Sequence, residues 1–155
     1  RRIEAPAALH QMLHDSPLDD AVMMDDFLKE IASLLQDSAP DNVSISCEAS
    51  PVAISTSVAS SIAVIVSEFV ANSIKHAFVD SQSGHVAISG KSLADGTLEI
   101  TCEDNGDANP ESTAAKTSAS GLGKRIMKAS ASQIGATLEN GPGPKGYRMV
   151  LTLPG

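Results

Sequence analysis

Residues 68–76 place three polar side chains at helical spacing inside an otherwise apolar segment. Glu68, Asn72 and His76 stand four residues apart, so they align on one side of a helix, with Lys75 beside them. A carboxylate, an amide and cationic groups at the margin of a buried face suit a divalent metal and phosphate oxygens. The wet side of an ordinary amphipathic helix has a similar composition, so this segment alone leaves both interpretations open.

A carboxylate follows a predicted strand at residues 104–106, which read Asp-Asn-Gly. Asp104 would be held at the end of a sheet, and Gly106 would let the backbone approach a flat ligand. A carboxylate in that position can accept a hydrogen bond from an exocyclic amine such as that of adenine. The alternative is an ordinary turn, in which this tripeptide is common.

Two glycines open a later helix, at Gly121, Leu122 and Gly123. The first backbone N–H groups of a helix have no partner within it, and the helix dipole turns its positive end toward an anion. The pattern fits a phosphate clamp, although a Gly-x-Gly pair is also a common hinge. The order of the three motifs indicates a metal-binding helix, a base pocket, a mobile lid and a phosphate clamp in one chain.

Hydrophobic periodicity predicts the helices that position these groups. The central helix is predicted over residues 57–78, where apolar side chains recur at steps of three and four. A second amphipathic helix includes Val22 and runs to about Gln36, after a carboxylate-rich start at residues 19–20. A short or interrupted helix is predicted over residues 3–13.

A third helix begins at residue 121 and ends at Gly135. Before it, residues 104–120 are polar and without a period, which predicts a loop of functional length. The apolar positions of this helix are Leu122, Ile126, Met127 and Ile134.

Alternating apolar and polar residues predict the strands. They cover residues 43–49, 84–93, 97–103, 136–140 and 147–153. The Asp-Gly pair at 95–96 predicts an antiparallel hairpin, and residues 141–144 predict a second turn. Helices gathered on one side of a mostly antiparallel, mixed sheet make an α+β fold, a two-layer α/β sandwich.

Composition sets the limits of these interpretations. The chain of 155 residues is 42% hydrophobic and 19% charged, which fits one globular domain. A net charge of −8 argues against nucleic acid as a partner, because that usually requires a basic face. No membrane-spanning run or leader is expected, so we expect cytoplasmic localisation and no membrane contact. Cys47 and Cys102 are expected to be free core thiols, without a zinc site or a disulfide.

Together the motifs resemble the ATP-binding catalytic domain of bacterial sensor histidine kinases, within the GHKL ATPase superfamily of gyrase, the ninety-kilodalton heat-shock chaperone and MutL. Residues 68–76 resemble the N box, and residues 104–106 and 120–123 resemble the two glycine boxes. Gly146 with the ending at 151–154 resembles the closing strand.

The N-terminal part of the sequence, residues 2–13 and then 22–35, resembles the end of a dimerisation hairpin that leads into the first catalytic-domain helix in the HWE-related group of these kinases. The resemblance implies a dimerisation-helix tail over residues 1–16 and an ATP-binding catalytic domain over residues 17–155. Since the chain opens on Arg1, we expect it to be a piece of a longer protein.

The resemblance also implies a role for each motif residue. Glu68 would polarise or deprotonate the attacking group, and Asn72 would coordinate Mg²⁺ that bridges the phosphates. The remaining roles are phosphate contacts from Lys75 and His76, an adenine contact from Asp104, a pocket floor at Gly106, and a lid folding over the triphosphate through Gly121, Leu122 and Gly123.

The reaction that the resemblance implies is transfer of the ATP γ-phosphoryl group to a histidine, with ATP and Mg²⁺ as cofactors. The implied partners are the receiver domain of a response regulator and the dimerisation and phosphoacceptor domain of a homodimeric parent kinase. Neither His10 nor His14 matches the acceptor motif, so we expect the phosphoacceptor upstream of residue 1.

Two alternatives remain open because the family pattern is not complete. Ala108 replaces a glycine, Asp107 adds a negative charge, and Tyr147 stands where a threonine is usual. These departures favour a degenerate, weakly or non-nucleotide-binding module that acts as a phosphorelay or docking scaffold, whereas Glu68 and Asn72 favour the kinase. A serine kinase of the anti-sigma type is the third hypothesis.

Overall fold

The computed structural model describes residues 21–77, 83–106, 121–144 and 146–154. The predicted helix at 3–13, the dimerisation tail at 1–16, the acidic start at 19–20 and most of the predicted loop lie outside these ranges. In chain order the elements are β1 (Ala21–Met23), α1 (Met24–Ser38), β2 (Val43–Ala49), β3 (Ala53–Ser55), α2 (Thr56–Asn72), a π-helical turn (Ser73–Ala77), β4 (Gly84–Ser92), β5 (Leu98–Asp104), α3 (Gly121–Gln133), β6 (Thr137–Pro142) and β7 (Tyr147–Leu153).

Five strands form one mixed sheet in the order β2-β4-β5-β7-β6. Strand β2 runs parallel to β4, and the other three neighbouring pairs are antiparallel. Three helices pack against this sheet. The predicted α+β sandwich with a mostly antiparallel mixed sheet is therefore confirmed, and the strand bounds of β2 and β7 are those predicted.

The core lies between the helices and one face of the sheet. Along β5 and β7 the buried residues alternate with more exposed ones, as a half-buried antiparallel sheet requires. The largest fully buried side chains include Phe27, Met24, Leu28, Ile65, Val66, Ile100 and Met149. Both cysteines are free thiols, and burial raises the pKa of Cys102 and of the half-buried Cys47.

The start of α1 differs from the prediction. Val22 belongs to β1, a three-residue strand that pairs antiparallel with β3, and it lies opposite Ile54. The helix begins at Met24, whose N–H donates to the Val52 carbonyl at 2.7 Å, and Asp25 stands in its acidic first turn. Placing Val22 in the helix was wrong, because the backbone contact to β3 comes from a segment distant in sequence.

Helix α2 begins where Ser55 caps it, since the Ser55 side chain accepts a hydrogen bond from the Val58 N–H at 3.2 Å. The stretch Thr56–Lys75 is long and apolar enough to cross a membrane by composition, so the expectation that no such run exists was wrong. Half of that stretch is buried inside the domain, as in the core helix of a folded protein.

Helix α3 ends as predicted, with Gly135 at a φ of 67° just beyond it. Its buried apolar residues include Met127 and Ala131, whereas Leu122 is 70% exposed and Ile126 is 37% exposed. In the second hairpin, β6 extends to Pro142, so the turn lies later than predicted, with Gly143 N–H donating to the Gly146 carbonyl at 2.6 Å.

We predict that Val66→Ala lowers the free energy of unfolding by about 2 kcal/mol, because Val66 is fully buried and loses two methyl groups into a cavity. Val64→Ala on the same helix is the matched control, since Val64 is 39% exposed, and its effect should stay within about 0.5 kcal/mol. Chemical denaturation measures both. Equal losses in the two variants would contradict the packing described.

Candidate functional site

A buried carboxylate lies at the end of β5. Asp104 is 2% exposed, and hydrogen-bond donors from three parts of the chain satisfy it. Its Oδ1 accepts from the Gly106 N–H and the Tyr147 N–H, each at 3.1 Å, and its Oδ2 accepts from Ser73 Oγ at 2.7 Å. Asp104 therefore joins the end of α2, the turn after β5 and the first residue of β7.

Gly146 lets the backbone of the last hairpin approach this carboxylate. A Cβ at position 146 would collide with the Asp104 carbonyl oxygen, and it would lie 2.8 Å from Asp104 Oδ1 and 2.9 Å from the Gly106 nitrogen. No side chain fits there without moving backbone atoms. The approach of Gly146 is thus what allows the neighbouring Tyr147 N–H to reach Asp104.

A second polar group lies where α2 meets the beginning of α3. A Cβ at position 123 would lie 2.6 Å from Glu68 Oε1 and 4.0 Å from Asn72 Nδ2. The side chains of Glu68 and Asn72 thus lie together, against Gly123 in the first turn of α3. Because Ser73 follows Asn72 directly and bonds to Asp104, the three sequence motifs meet around the C-terminal end of α2.

The remaining predicted residues belong to the turn after α2 and to the start of α3. Lys75 is exposed in the π-helical turn that continues α2, and His76 belongs to the same turn. Gly121 is the first residue of α3, and Leu122 follows it with a largely exposed side chain. π-helical turns occur often at functional sites, where they re-aim the residues that follow.

The side chain of Tyr147 is held by two contacts near the Asp104 carboxylate. Its ring stacks on Phe69 with 6.3 Å between centroids, and its hydroxyl donates to Asn140 Oδ1 at 2.9 Å. Burial, followed by the negative charge of Asp104, raises the pKa of the Tyr147 phenol. From the sequence, Tyr147 was noted only because a threonine is usual at this position of the family. The structure shows that its backbone N–H helps to hold Asp104.

Sequence reasoning missed Ser73 as a site residue. The only signal available was its place immediately after Asn72, and a serine inside an apolar helix has no distinctive pattern. The side chain is 3% exposed, and its contact to Asp104 spans 31 positions of sequence.

The oxygen donors at this site suit magnesium better than zinc. In the described ranges, no three His, Cys, Asp or Glu side chains form a group that could hold a metal ion. Mg²⁺ needs no such cage, because it is usually bound through one or two protein oxygens together with substrate phosphates and water. The adjacent Asn72 amide and Glu68 carboxylate fit that mode.

Comparison with known proteins identifies a family for most of this chain. Residues 57–155 match the family described as the histidine kinase-, DNA gyrase B- and HSP90-like ATPase. The match begins at the start of α2 and includes all three motifs.

Individual relatives agree with this match. A curated blue-light-activated histidine kinase 2 of Erythrobacter litoralis is 27% identical over 159 residues, which cover 99% of this chain and 46% of that protein. The solved histidine kinase domain of a blue-light-activated histidine kinase from Erythrobacter litoralis is 25% identical, with a TM-score of 0.79, covering 99% of this chain and 72% of that one.

A second solved structure is the ATP-binding domain of PrrB from Mycobacterium tuberculosis. It is 27% identical, with a TM-score of 0.68, and the alignment covers 88% of this chain and 96% of that domain. The chain spans a little under half of the curated relative's length, so it corresponds to one part of that protein.

We predict that Gly146→Ala destabilises the fold by about 2 kcal/mol, because the new Cβ overpacks the backbone around Asp104. Gly141→Ala is the matched control in the same hairpin, where a Cβ would meet nothing within 4 Å. Thermal and chemical denaturation measure both variants. A Gly146→Ala protein as stable as Gly141→Ala would contradict the close approach.

We further predict that Tyr147 titrates above its ordinary pKa of about 10 in the folded protein. The chain has one tyrosine and no tryptophan, so phenolate absorbance reports this residue alone. The folded state holds the phenol proton more tightly than the unfolded state, so stability should fall as pH rises above about 10. Protein unfolded in urea provides the reference titration, and a folded midpoint at or below that reference would refute the assignment.

Proposed function

Because the chain belongs to the histidine kinase-, DNA gyrase B- and HSP90-like ATPase family, we propose that it is the ATP-binding catalytic domain of a two-component sensor histidine kinase. It would position ATP for transfer of the γ-phosphoryl group to a histidine outside this chain. The observation that carries the proposal is the buried Asp104 carboxylate, held by three donors next to the Glu68 and Asn72 pair.

The adenine end of the nucleotide is assigned to Asp104. Oδ1 already accepts two N–H bonds, so Oδ2 is the oxygen with capacity for a ligand donor. The adenine 6-amino group is such a donor. Gly106 and Gly146 shape the pocket floor, and the Tyr147 ring supplies an apolar wall.

The phosphate end is assigned to the margin between α2 and α3. Asn72 would hold Mg²⁺, which neutralises charge on the phosphates when bound. Glu68 would polarise or deprotonate the attacking group, and Lys75 and His76 would contact phosphate oxygens. The opening turn of α3, Gly121 to Gly123, would supply first-turn backbone N–H groups, which have no partner within a helix, and the positive end of a helix dipole.

The wider context of the domain is part of the same proposal. We assign residues 1–16 to the tail of a dimerisation helix and residues 17–155 to the catalytic domain of a kinase from the HWE-related group. The parent would be a homodimer in the cytoplasm, with the phosphoacceptor upstream of this chain. A response-regulator receiver domain would take the phosphoryl group from that histidine.

The scaffold alternative depends on the departures at Ala108 and Tyr147. Ala108 lies outside the described residues. Tyr147 keeps the contact that matters for Asp104, because its backbone N–H donates to the carboxylate whatever its side chain. The kinase is therefore favoured over a degenerate module, and the relatives reported above, all histidine kinases or ATP-binding domains, favour it over an anti-sigma serine kinase.

Calorimetry with Mg²⁺ and a non-hydrolysable ATP analogue tests the proposal. The chain should bind more tightly than about 1 mM, equivalent to about 4 kcal/mol. Asn72→Ala should weaken Mg²⁺-dependent binding at least about tenfold, because the metal loses its protein oxygen. Asp104→Asn should lose the preference for adenine over guanine nucleotides, because an amide both donates and accepts.

Two exposed residues supply matched controls. Asp37→Asn changes a carboxylate at the end of α1, and Gln133→Ala removes an amide at the end of α3. Both should bind as the parent chain does. Binding weaker than about 1 mM by the unaltered chain would favour the scaffold alternative.

A further inference from the structure

The Ser73 hydroxyl makes a short contact to the carboxylate that the proposed function assigns to adenine. It donates to Asp104 Oδ2 at 2.7 Å, within a side chain that is 3% exposed. Within the described ranges, the other donors to Asp104 are backbone groups. Ser73 is thus the side chain that determines how Oδ2 is presented to a ligand.

We propose that Ser73 is a positioning residue that makes the site selective for purines bearing a 6-amino group. This inference rests on the proposed function and deepens it. Ser73 acts through Asp104: it fixes the orientation of the carboxylate and leaves Oδ2 with room for one further donor.

The capacity of the carboxylate sets that number. A carboxylate offers about four lone-pair sites, two on each oxygen. Gly106 and Tyr147 fill the two on Oδ1, and Ser73 fills one on Oδ2. The remaining site accepts one N–H, which an exocyclic amino group supplies and a keto oxygen does not.

The direction of the Ser73 proton adds to the selectivity. A hydroxyl has one proton to donate, and Ser73 donates it in the hydrogen bond to the Asp104 carboxylate. The Ser73 oxygen therefore presents only lone pairs to a ligand. The hydroxyl cannot turn to donate to a 6-keto oxygen without leaving a buried carboxylate lone pair unpaired, which is costly. A 6-amino group on the purine therefore meets only hydrogen-bond acceptors. A 6-keto oxygen would meet the same acceptors and find no donor.

The backbone holds Ser73 in place for this contact. Its N–H donates to the carbonyls of Phe69 and Val70, so the residue continues the hydrogen bonding of α2 as the π-helical turn begins. Removing the hydroxyl should leave these backbone bonds intact. Asp104 would then be held through Oδ1 alone, and a water that both donates and accepts would take the place of the hydroxyl beside Oδ2.

Binding measurements with two nucleotides separate this role from a structural one. The probes are the magnesium complexes of a non-hydrolysable ATP analogue and of purine riboside triphosphate, which lacks the 6-amino group. Ser73→Ala should weaken binding of the ATP analogue about tenfold, a change of about 1.4 kcal/mol. Binding of the nucleotide without the amino group should change less than about twofold, since that ligand makes no amino contact to lose.

Three further variants complete the experiment. Ser73→Thr keeps the hydroxyl and should restore the preference for the amino group. Ser61→Ala removes another buried hydroxyl from α2, 6% exposed, and should change neither affinity. If Ser73→Ala does not fold, Ser73→Cys replaces it under the same criterion, because a thiol is close in shape and a weak donor.

Each outcome has a distinct meaning. Equal weakening of both nucleotides by Ser73→Ala would assign Ser73 a merely structural role and overturn the inference. An unaltered chain that binds both nucleotides equally well would also overturn it, while leaving the proposed function in place. An unaltered chain that binds neither nucleotide would refute the proposed function, and this inference with it.

Discussion

The hydrogen bonding of one buried carboxylate links three parts of this domain that are distant from one another in sequence. A carboxylate removed from water is costly unless donors replace the water, and Asp104 obtains them from the end of α2, the turn after β5 and the start of β7. Each donor comes from a different element, so the carboxylate is satisfied only when all three are in register. The close approach of Gly146 is a consequence, since the Tyr147 N–H reaches Asp104 only if the hairpin before it carries no side chain at that point.

Helix α2 connects this interaction to the rest of the fold. It supplies core residues such as Ile65 and Val66, and Glu68 and Asn72, at the margin of the buried face, lie against the start of α3. Its last turn then delivers Ser73 to Asp104. Packing of the apolar side sets the position of the helix, and the polar side chains inherit that position. The proposed adenine site at Asp104 and the proposed phosphate site beside Glu68 and Asn72 are therefore brought near each other by the position of one helix.

Much of the fold and part of the site follow from local pattern. The strands Val43–Ala49 and Tyr147–Leu153 match their predicted bounds, because each has one buried face and so alternates along its length. The end of α3 at Gly135 was also predictable, since a positive φ favours glycine. These features depend on residues that are neighbours in sequence.

The missed features depend on contacts between distant segments. Strands β1 and β3 are three residues long, too short to show a period, and they exist because they pair with each other. The sequence showed Leu122 only as an apolar position of a helix, and it did not show that this side chain stands 70% exposed at the helix start. No pattern indicated Ser73, whose contact spans 31 positions, or showed that Tyr147 would serve the site through its backbone N–H.

The most direct measurement is a crystal structure of this chain with Mg²⁺ and a non-hydrolysable ATP analogue. We expect the adenine 6-amino group within hydrogen-bond distance of Asp104 Oδ2, and the metal bound by the side-chain oxygen of Asn72. The phosphates should lie against the opening turn of α3. A nucleotide bound elsewhere, or a metal without Asn72 as a ligand, would contradict the account.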